Sequence, residues 1–284
     1  MERGGVTRGR VEVEGLEIAY AEQGNGEPVL LLHGWPTSSH LWREVMPALA
    51  ERSRAIAIDL PGFGASSKPA DASYSFRFYG RILTGFLDAL GVERLGLAVH
   101  DLGGPVGLHW ASQHPERVSR LALLNTLVFS RPSYAVVAFI AATRTQGVRS
   151  WLTSPAGIRF TMRHGVHDKS LLSEDDIAAY QRPFADREAR VALRRSGSGL
   201  HPAGLREIER WLPEIAVSVR LLYGERDRIL PDVARTMRKV AELVPQAELS
   251  TLPDCGHFCQ EERGAEIGEE LARFFFEAPA RTGD

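Results

Sequence analysis

Asp101 stands where a folding argument alone would not place it. Residues 95–99 are an uninterrupted apolar run of strand length, and His100, Asp101, Leu102 and the pair Gly103 and Gly104 follow at once. Strand, acidic residue, then glycines opening a helical pattern is the arrangement of a nucleophile elbow, a strained turn that needs small residues nearby. The usual elbow carries serine; this one offers a carboxylate. Asp227 follows the strand-like run VRLLYG, and His257 follows AELSTL. The chain order Asp101, Asp227, His257 is that of nucleophile, acid and base. Glu225, two residues earlier, is the rival acid. A carboxylate with an ordinary pKa of about 3.9 is already charged at neutral pH. It can displace a leaving group from a saturated carbon and form an alkyl ester. A histidine oriented by an acid then activates water against that ester.

Such residues need a scaffold that brings strand ends together. VEVEGLEIAY alternates as a half-buried strand does, with Gly15 as a hairpin turn. PVLLLHG and RAIAIDLPG read as fully buried strands. Apolar residues at 41, 42, 45, 46 and 49 predict a helix between them, and those from Tyr79 to Leu90 predict another, stopped by Gly91. LGLAV, a helix over 104–113 and LALLN continue the alternation. This rhythm predicts an α/β fold, a mostly parallel sheet with helices on both faces. It breaks after Asn125: residues 131–212 read as helical, and VRLLYG then resumes the pattern. The expected organisation is a core of 1–130 and 213–284, with a helical cap of 131–212 inserted after the sixth strand. The last five residues, ARTGD, read as a disordered tail.

In these motifs the chain resembles the α/β-hydrolases over nearly its whole length, and within them the aspartate-nucleophile branch of haloalkane dehalogenases and epoxide hydrolases. HGWPTSSHLW resembles the oxyanion loop, DLPGFGASSKP the loop after the fourth strand, GERDRILP the acid loop and GHFCQEERGAEIGEELARFF the histidine loop and helix. The resemblance implies covalent hydrolysis at Asp101, with His257 as base, Asp227 as orienting acid and the backbone N–H groups of Trp35 and Leu102 as oxyanion donors. Asn125 stands where some dehalogenases carry a glutamate acid, and asparagine cannot serve, which leaves Asp227. His33 is expected to brace the oxyanion loop, Asp59 to fix its own loop, and His100 to be structural.

The leaving group divides the resemblance. Val99 and PTSSHLWR are dehalogenase-like, and Trp151 offers an indole N–H to a halide. Dehalogenases typically carry tryptophan directly after the nucleophile, where this chain has Leu102; Trp35 is the substitute donor, or else an aromatic wall of the pocket. Epoxide opening requires an acid on the departing oxygen, usually a pair of tyrosines in the cap. Tyr134 and Tyr180 are the tyrosines available there, and packing is the default role of Tyr180. A third reading is a pocket protein, or a hydrolase of some specialised metabolite, with little dehalogenase activity.

Composition excludes other classes. Net charge is −2, with 34 basic and 36 acidic residues, so no nucleic-acid footprint is expected. Cys255 and Cys259 are too few for a disulfide scaffold. With His257 they lack a fourth ligand at a zinc spacing, so no metal is expected. MERGGVTRGR has no apolar signal region, and the longest central apolar stretch, 134–142, is too short to span a bilayer. The expectations are a cytoplasmic monomer or homodimer, a small-molecule substrate with water, no cofactor and no membrane.

Overall fold

In the computed structural model, which describes residues 5–131 and 133–277, the apolar runs become eight strands. These are β1 (Thr7–Val13), β2 (Leu16–Gln23), β3 (Glu27–Leu32), β4 (Ser53–Ile58), β5 (Leu95–Asp101), β6 (Val118–Thr126), β7 (Ser218–Gly224) and β8 (Ala247–Leu252). They form one sheet in the order β1-β2-β4-β3-β5-β6-β7-β8. The pairs β1–β2 and β2–β4 are antiparallel, and the pairs from β4–β3 onward are parallel. Every residue of β5 is buried, which is why that strand reads as a continuous apolar run until its functional end.

The helices are α1 (Met46–Ala50), α2 (Phe76–Ala89) and α3 (Gly103–Gln113), then α4 (Tyr134–Arg144), α5 (Gln146–Leu152), α6 (Pro155–Gly165), α7 (Glu174–Gln181), α8 (Arg187–Ser196) and α9 (Pro202–Trp211) between β6 and β7. Last come α10 (Val233–Leu243) and α11 (Cys259–Phe276). Alternation along β5 serves both faces of the sheet. Gly96 lies against Phe275 of α11, while Leu97 and Val99 lie against Gly107 of α3. One expected helix differs: the stretch from residue 41 to 49 splits into a 3-10 turn, Ser39–Trp42, and the short α1. Pro47 has no N–H to continue a helix and instead sits in the first turn of a new one. The tail 280–284 lies outside the described residues.

Candidate active site

The carboxyl ends of β3, β5, β6, β7 and β8 converge, as ligand sites do in parallel sheets. Asp101 ends β5 with φ 48°, a left-handed conformation that non-glycine residues adopt only when the surroundings impose it. Those surroundings are visible. Thr126 Oγ1 donates to the Asp101 carbonyl at 2.6 Å, and Trp35 N donates to Asp101 Oδ1 at 2.7 Å. The Leu102 N–H also bonds the carboxylate. Two glycines permit this approach: a Cβ on Gly34 would collide with the Asp101 side chain, and one on Gly104 with Thr126.

His257 lies beyond β8, fully buried, between two carboxylates. Its Nδ1 is 2.8 Å from Asp227 Oδ2, and its Nε2 is 3.5 Å from Asp101 Oδ2. The second distance is an ion-pair contact rather than a hydrogen bond. Asp227, past the end of β7, is itself held by four groups. Ile229 N and Leu230 N donate to its Oδ1 at 2.8 and 2.7 Å, while Asn125 Nδ2 donates to Oδ2 at 2.8 Å beside the imidazole. Glu225 is exposed, so the rival acid is not brought to the histidine.

Asn125 is the residue that sequence reasoning missed as a partner. The β5–β6 register jumps from His100↔Leu124 to Asp101↔Thr126. Asn125 is thus the extra residue of a bulge, buried with φ 34°, and a bulge re-aims a side chain. Its amide donates to Asp227, and its Oδ1 accepts from Gly224 N at 3.1 Å. The available signal was a polar residue inside the apolar run at a strand end.

Charge follows from this geometry. Burial opposes the imidazolium of His257, but the charge of Asp227 and the contacts with Asp101 outweigh it and raise the pKa to about 10. Burial likewise opposes ionisation of Asp101 and Asp227. The charge of His257, with its close contact to Asp101 and its hydrogen bond to Asp227, nonetheless holds both carboxyls below their ordinary value. The resting arrangement is therefore an imidazolium between two carboxylates. His100 differs: burial and then the charge of His257 push it down to about 3, leaving it neutral. Its Nε2 donates to the His257 carbonyl at 2.9 Å, a structural role.

The bracing residues lie where expected. His33 Nδ1 donates to Gly34 O at 2.9 Å, which leaves Nε2 to accept from Leu60 N at 3.1 Å. Asp59 accepts from Ser39 N and Ala65 N at 2.6 and 2.7 Å. The expected leaving-group residues are placed differently. Trp35 Nε1 donates to the Leu193 carbonyl at 3.0 Å. That carbonyl also accepts from Ser196 Oγ at 2.8 Å and Gly197 N at 3.3 Å, so the Trp35 indole N–H is already engaged but is not the carbonyl's sole partner. Trp151 is 46% exposed and packs on Phe160, and Tyr134 is 76% exposed. Tyr180 is buried, with its hydroxyl donated to Glu261. Among the described residues no hydrogen bond or ring contact joins Trp151, Tyr134 or Tyr180 to Asp101 or His257. A groove of about 830 Å³ lined by Phe76, His109, Trp110 and His201 also lies apart from these residues.

Comparison with known proteins agrees with this architecture. A family described as the alpha/beta hydrolase fold matches residues 27–264, and the chain belongs to that family. An uncharacterized hydrolase of Bacillus subtilis is 31% identical over 276 residues, spanning 93% of this chain and 96% of its own. A soluble epoxide hydrolase of Corynebacterium is 28% identical over 292 residues, spanning 97% and 99%. A solved haloalkane dehalogenase of Bradyrhizobium elkani superposes with a TM-score of 0.84 at 29% identity, covering 95% of this chain and 97% of that one. The chain is a hydrolase of the α/β-hydrolase family, structurally close to the haloalkane dehalogenases.

Proposed function

We propose that this hydrolase works through a covalent alkyl ester on Asp101, cleaving the carbon–halogen bond of a small apolar substrate as a haloalkane dehalogenase does. One observation carries the reading. The Asp101 carboxylate is fixed on a strained elbow, with Oδ1 held by the Trp35 N–H and Oδ2 facing His257 Nε2. In the first step Oδ2 attacks the saturated carbon, the carbon–oxygen bond forms, and the halide leaves with the bonding pair. Esterification removes the Asp101 charge that helped hold the His257 proton, so the imidazolium gives that proton to solvent. In the second step neutral His257 takes a proton from water as the hydroxide adds to the Asp101 carboxyl carbon. Negative charge then builds on Oδ1, which already accepts from the Trp35 N–H, with the Leu102 N–H on the same carboxylate. Each such donor contributes about 3 kcal/mol. Collapse breaks the bond from the carboxyl carbon to Oδ2, and the departing oxygen takes the proton from His257, so the alcohol leaves with the aspartate's oxygen. Water's oxygen stays on Asp101, whose new carboxyl proton returns to His257. Neither step passes electrons to an acceptor, so the proposal requires no cofactor.

The segment 131–212 acts in this reading as a cap over a core of 1–130 and 213–284. Its Leu193 carbonyl and Phe139 ring both touch Trp35, which supports that role. A second reading, epoxide hydrolysis, is favoured by the commitment of the Trp35 indole to Leu193 and by the surface position of Trp151. Its own weakness is the Tyr180 hydroxyl, which Glu261 already occupies.

The test is His257→Gln incubated with bromoalkanes and with epoxides, followed by the mass of the tryptic peptide containing Asp101. A stable alkyl adduct from a bromoalkane is expected. A hydroxyalkyl adduct from epoxides alone moves the assignment to the second reading. Turnover by wild type with no adduct on the variant contradicts the ester mechanism.

A further inference from the structure

Helix α4 carries its hydrophobicity on the outside. Of its eleven residues only Thr143 is fully buried, while Tyr134, Val137 and Ala141 form an exposed stripe at i, i+3 and i+7. Helix α5 packs against α4 and α6 against α5, and they add exposed Trp151 and Phe160, whose rings lie 5.3 Å apart. Exposed apolar patches of this kind mark interaction surfaces. Charge identifies the partner. From residue 117 to residue 167 the sequence contains no acidic residue. Arg159 and Arg163 pair with Glu174, but Arg144, Arg149 and Arg194 make no ion pair among the described residues. Arg194 is held below its ordinary basicity by burial and then by the charges of Arg149 and Arg195, so unpaired cations gather here.

We propose that the face formed by α4, α5 and α6 docks on an anionic lipid surface. The stripe of α4 lies at headgroup level, Tyr134 and Trp151 sit at the water boundary, and the unpaired arginines meet the phosphates. Apolar face, interfacial aromatics and unneutralised arginines are together the signature of a surface-lying amphipathic element. A second copy of the chain fits less well, because a self-complementary contact would bring the same arginines toward one another. The docked face adjoins the candidate active site through Phe139, whose ring lies 4.9 Å from that of Trp35. The proposal does not rest on the chemistry assigned to Asp101. It revises the expectation of no membrane, which rested on span length and has no bearing on a helix lying in the interface. It also gives Tyr134 and Trp151 a role outside the pocket.

Flotation with vesicles of phosphatidylcholine, with or without phosphatidylglycerol, tests this on the full chain. Wild type is expected to float with the phosphatidylglycerol vesicles, to stay behind with phosphatidylcholine alone, and to be released by high salt. The double variant Arg144→Gln/Arg149→Gln should partition about tenfold less or weaker still. Val137→Asp should lose binding while melting like wild type, and Val6→Asp, at an exposed apolar residue outside the segment, should bind normally. Failure of wild type to float with anionic vesicles, equal binding to both compositions, or unchanged binding by both face variants overturns the proposal. So does a dimer in sedimentation that Val137→Asp dissociates while wild type ignores vesicles.

Discussion

Asn125 does at the residue scale what no charged group in the site does: it fixes the acid without competing for the proton. Its amide holds Asp227 Oδ2 while its carbonyl oxygen accepts from the Gly224 N–H. Asn125→Ala removes both bonds from a fully buried position and should cost about 1–3 kcal/mol of stability, read as a lower denaturation midpoint. It should also slow hydrolysis of the Asp101 ester more than its formation, since Asp227 acts through His257. Equal slowing of both half-reactions would count against that role. His257 makes a pH prediction. Its folded pKa of about 10 lies above the ordinary histidine value, so its pairing stabilises the fold fully below about pH 6.5. That contribution is lost as pH rises toward 10. Wild type should therefore melt at falling temperature between neutral pH and about pH 10, and His257→Gln should flatten the slope. Esterification of Asp101 removes one of the two negative charges flanking the imidazole. Rapid-mixing kinetics should accordingly place the midpoint for ester hydrolysis below that of the imidazole titrated by NMR in the free enzyme.

At the scale of elements, the middle of the helical segment, just past α6, is fastened to the loop that carries His257. His257 N donates to Gly165 O at 2.6 Å, and Glu262 accepts from His167 N, Asp168 N and Gly256 N. Behind this junction Arg43 makes a bidentate pair with Glu261, at 2.8 and 2.7 Å, and Tyr180 bonds the same carboxylate. Tyr180→Phe should therefore lower stability by about 1 kcal/mol and leave turnover of any epoxide substrate within about twofold. Abolition of epoxide opening with unchanged stability would instead make Tyr180 the ring-opening acid. Four helix starts of this segment follow the capping rule, at Ser133, Ser154, Ser173 and Asp186, and its helical character was legible. The inward faces were not. YAVVAFIAA is apolar all round, so periodicity cannot say which side turns to the core, and Tyr134 faces water instead of a pocket. Nor does any side-chain pattern encode the partner of Trp35, which is a backbone carbonyl.

Across the whole molecule, the legible parts are those where burial is complete on both faces. The five strands from β4 to β7 in the sheet order carry Ile56, Leu30, Leu97, Leu121 and Leu221, each essentially without exposure. The polar residues just past their ends therefore stood out against an apolar background. That contrast exposed Asp101 and Asp227, while His257 follows β8, a part-exposed edge strand, and was read from its place in the chain order after them. The glycines of the elbow are part of the same logic. Gly104→Ala drives a Cβ into Thr126, and the expected outcome is an insoluble or strongly destabilised chain, checked by expression yield and thermal melt. The choice of leaving group stayed outside this contrast, since it depends on how the helical segment packs. The nucleophile does not, and it is the claim on which the account stands. A single turnover in heavy-oxygen water, with enzyme in excess over a substrate identified by adduct formation, tests it most directly. The account predicts an unlabelled alcohol and one heavy oxygen in the tryptic peptide containing Asp101. A labelled alcohol from that first turnover, with the peptide unchanged, would mean that water attacks the substrate itself and that no ester forms on Asp101.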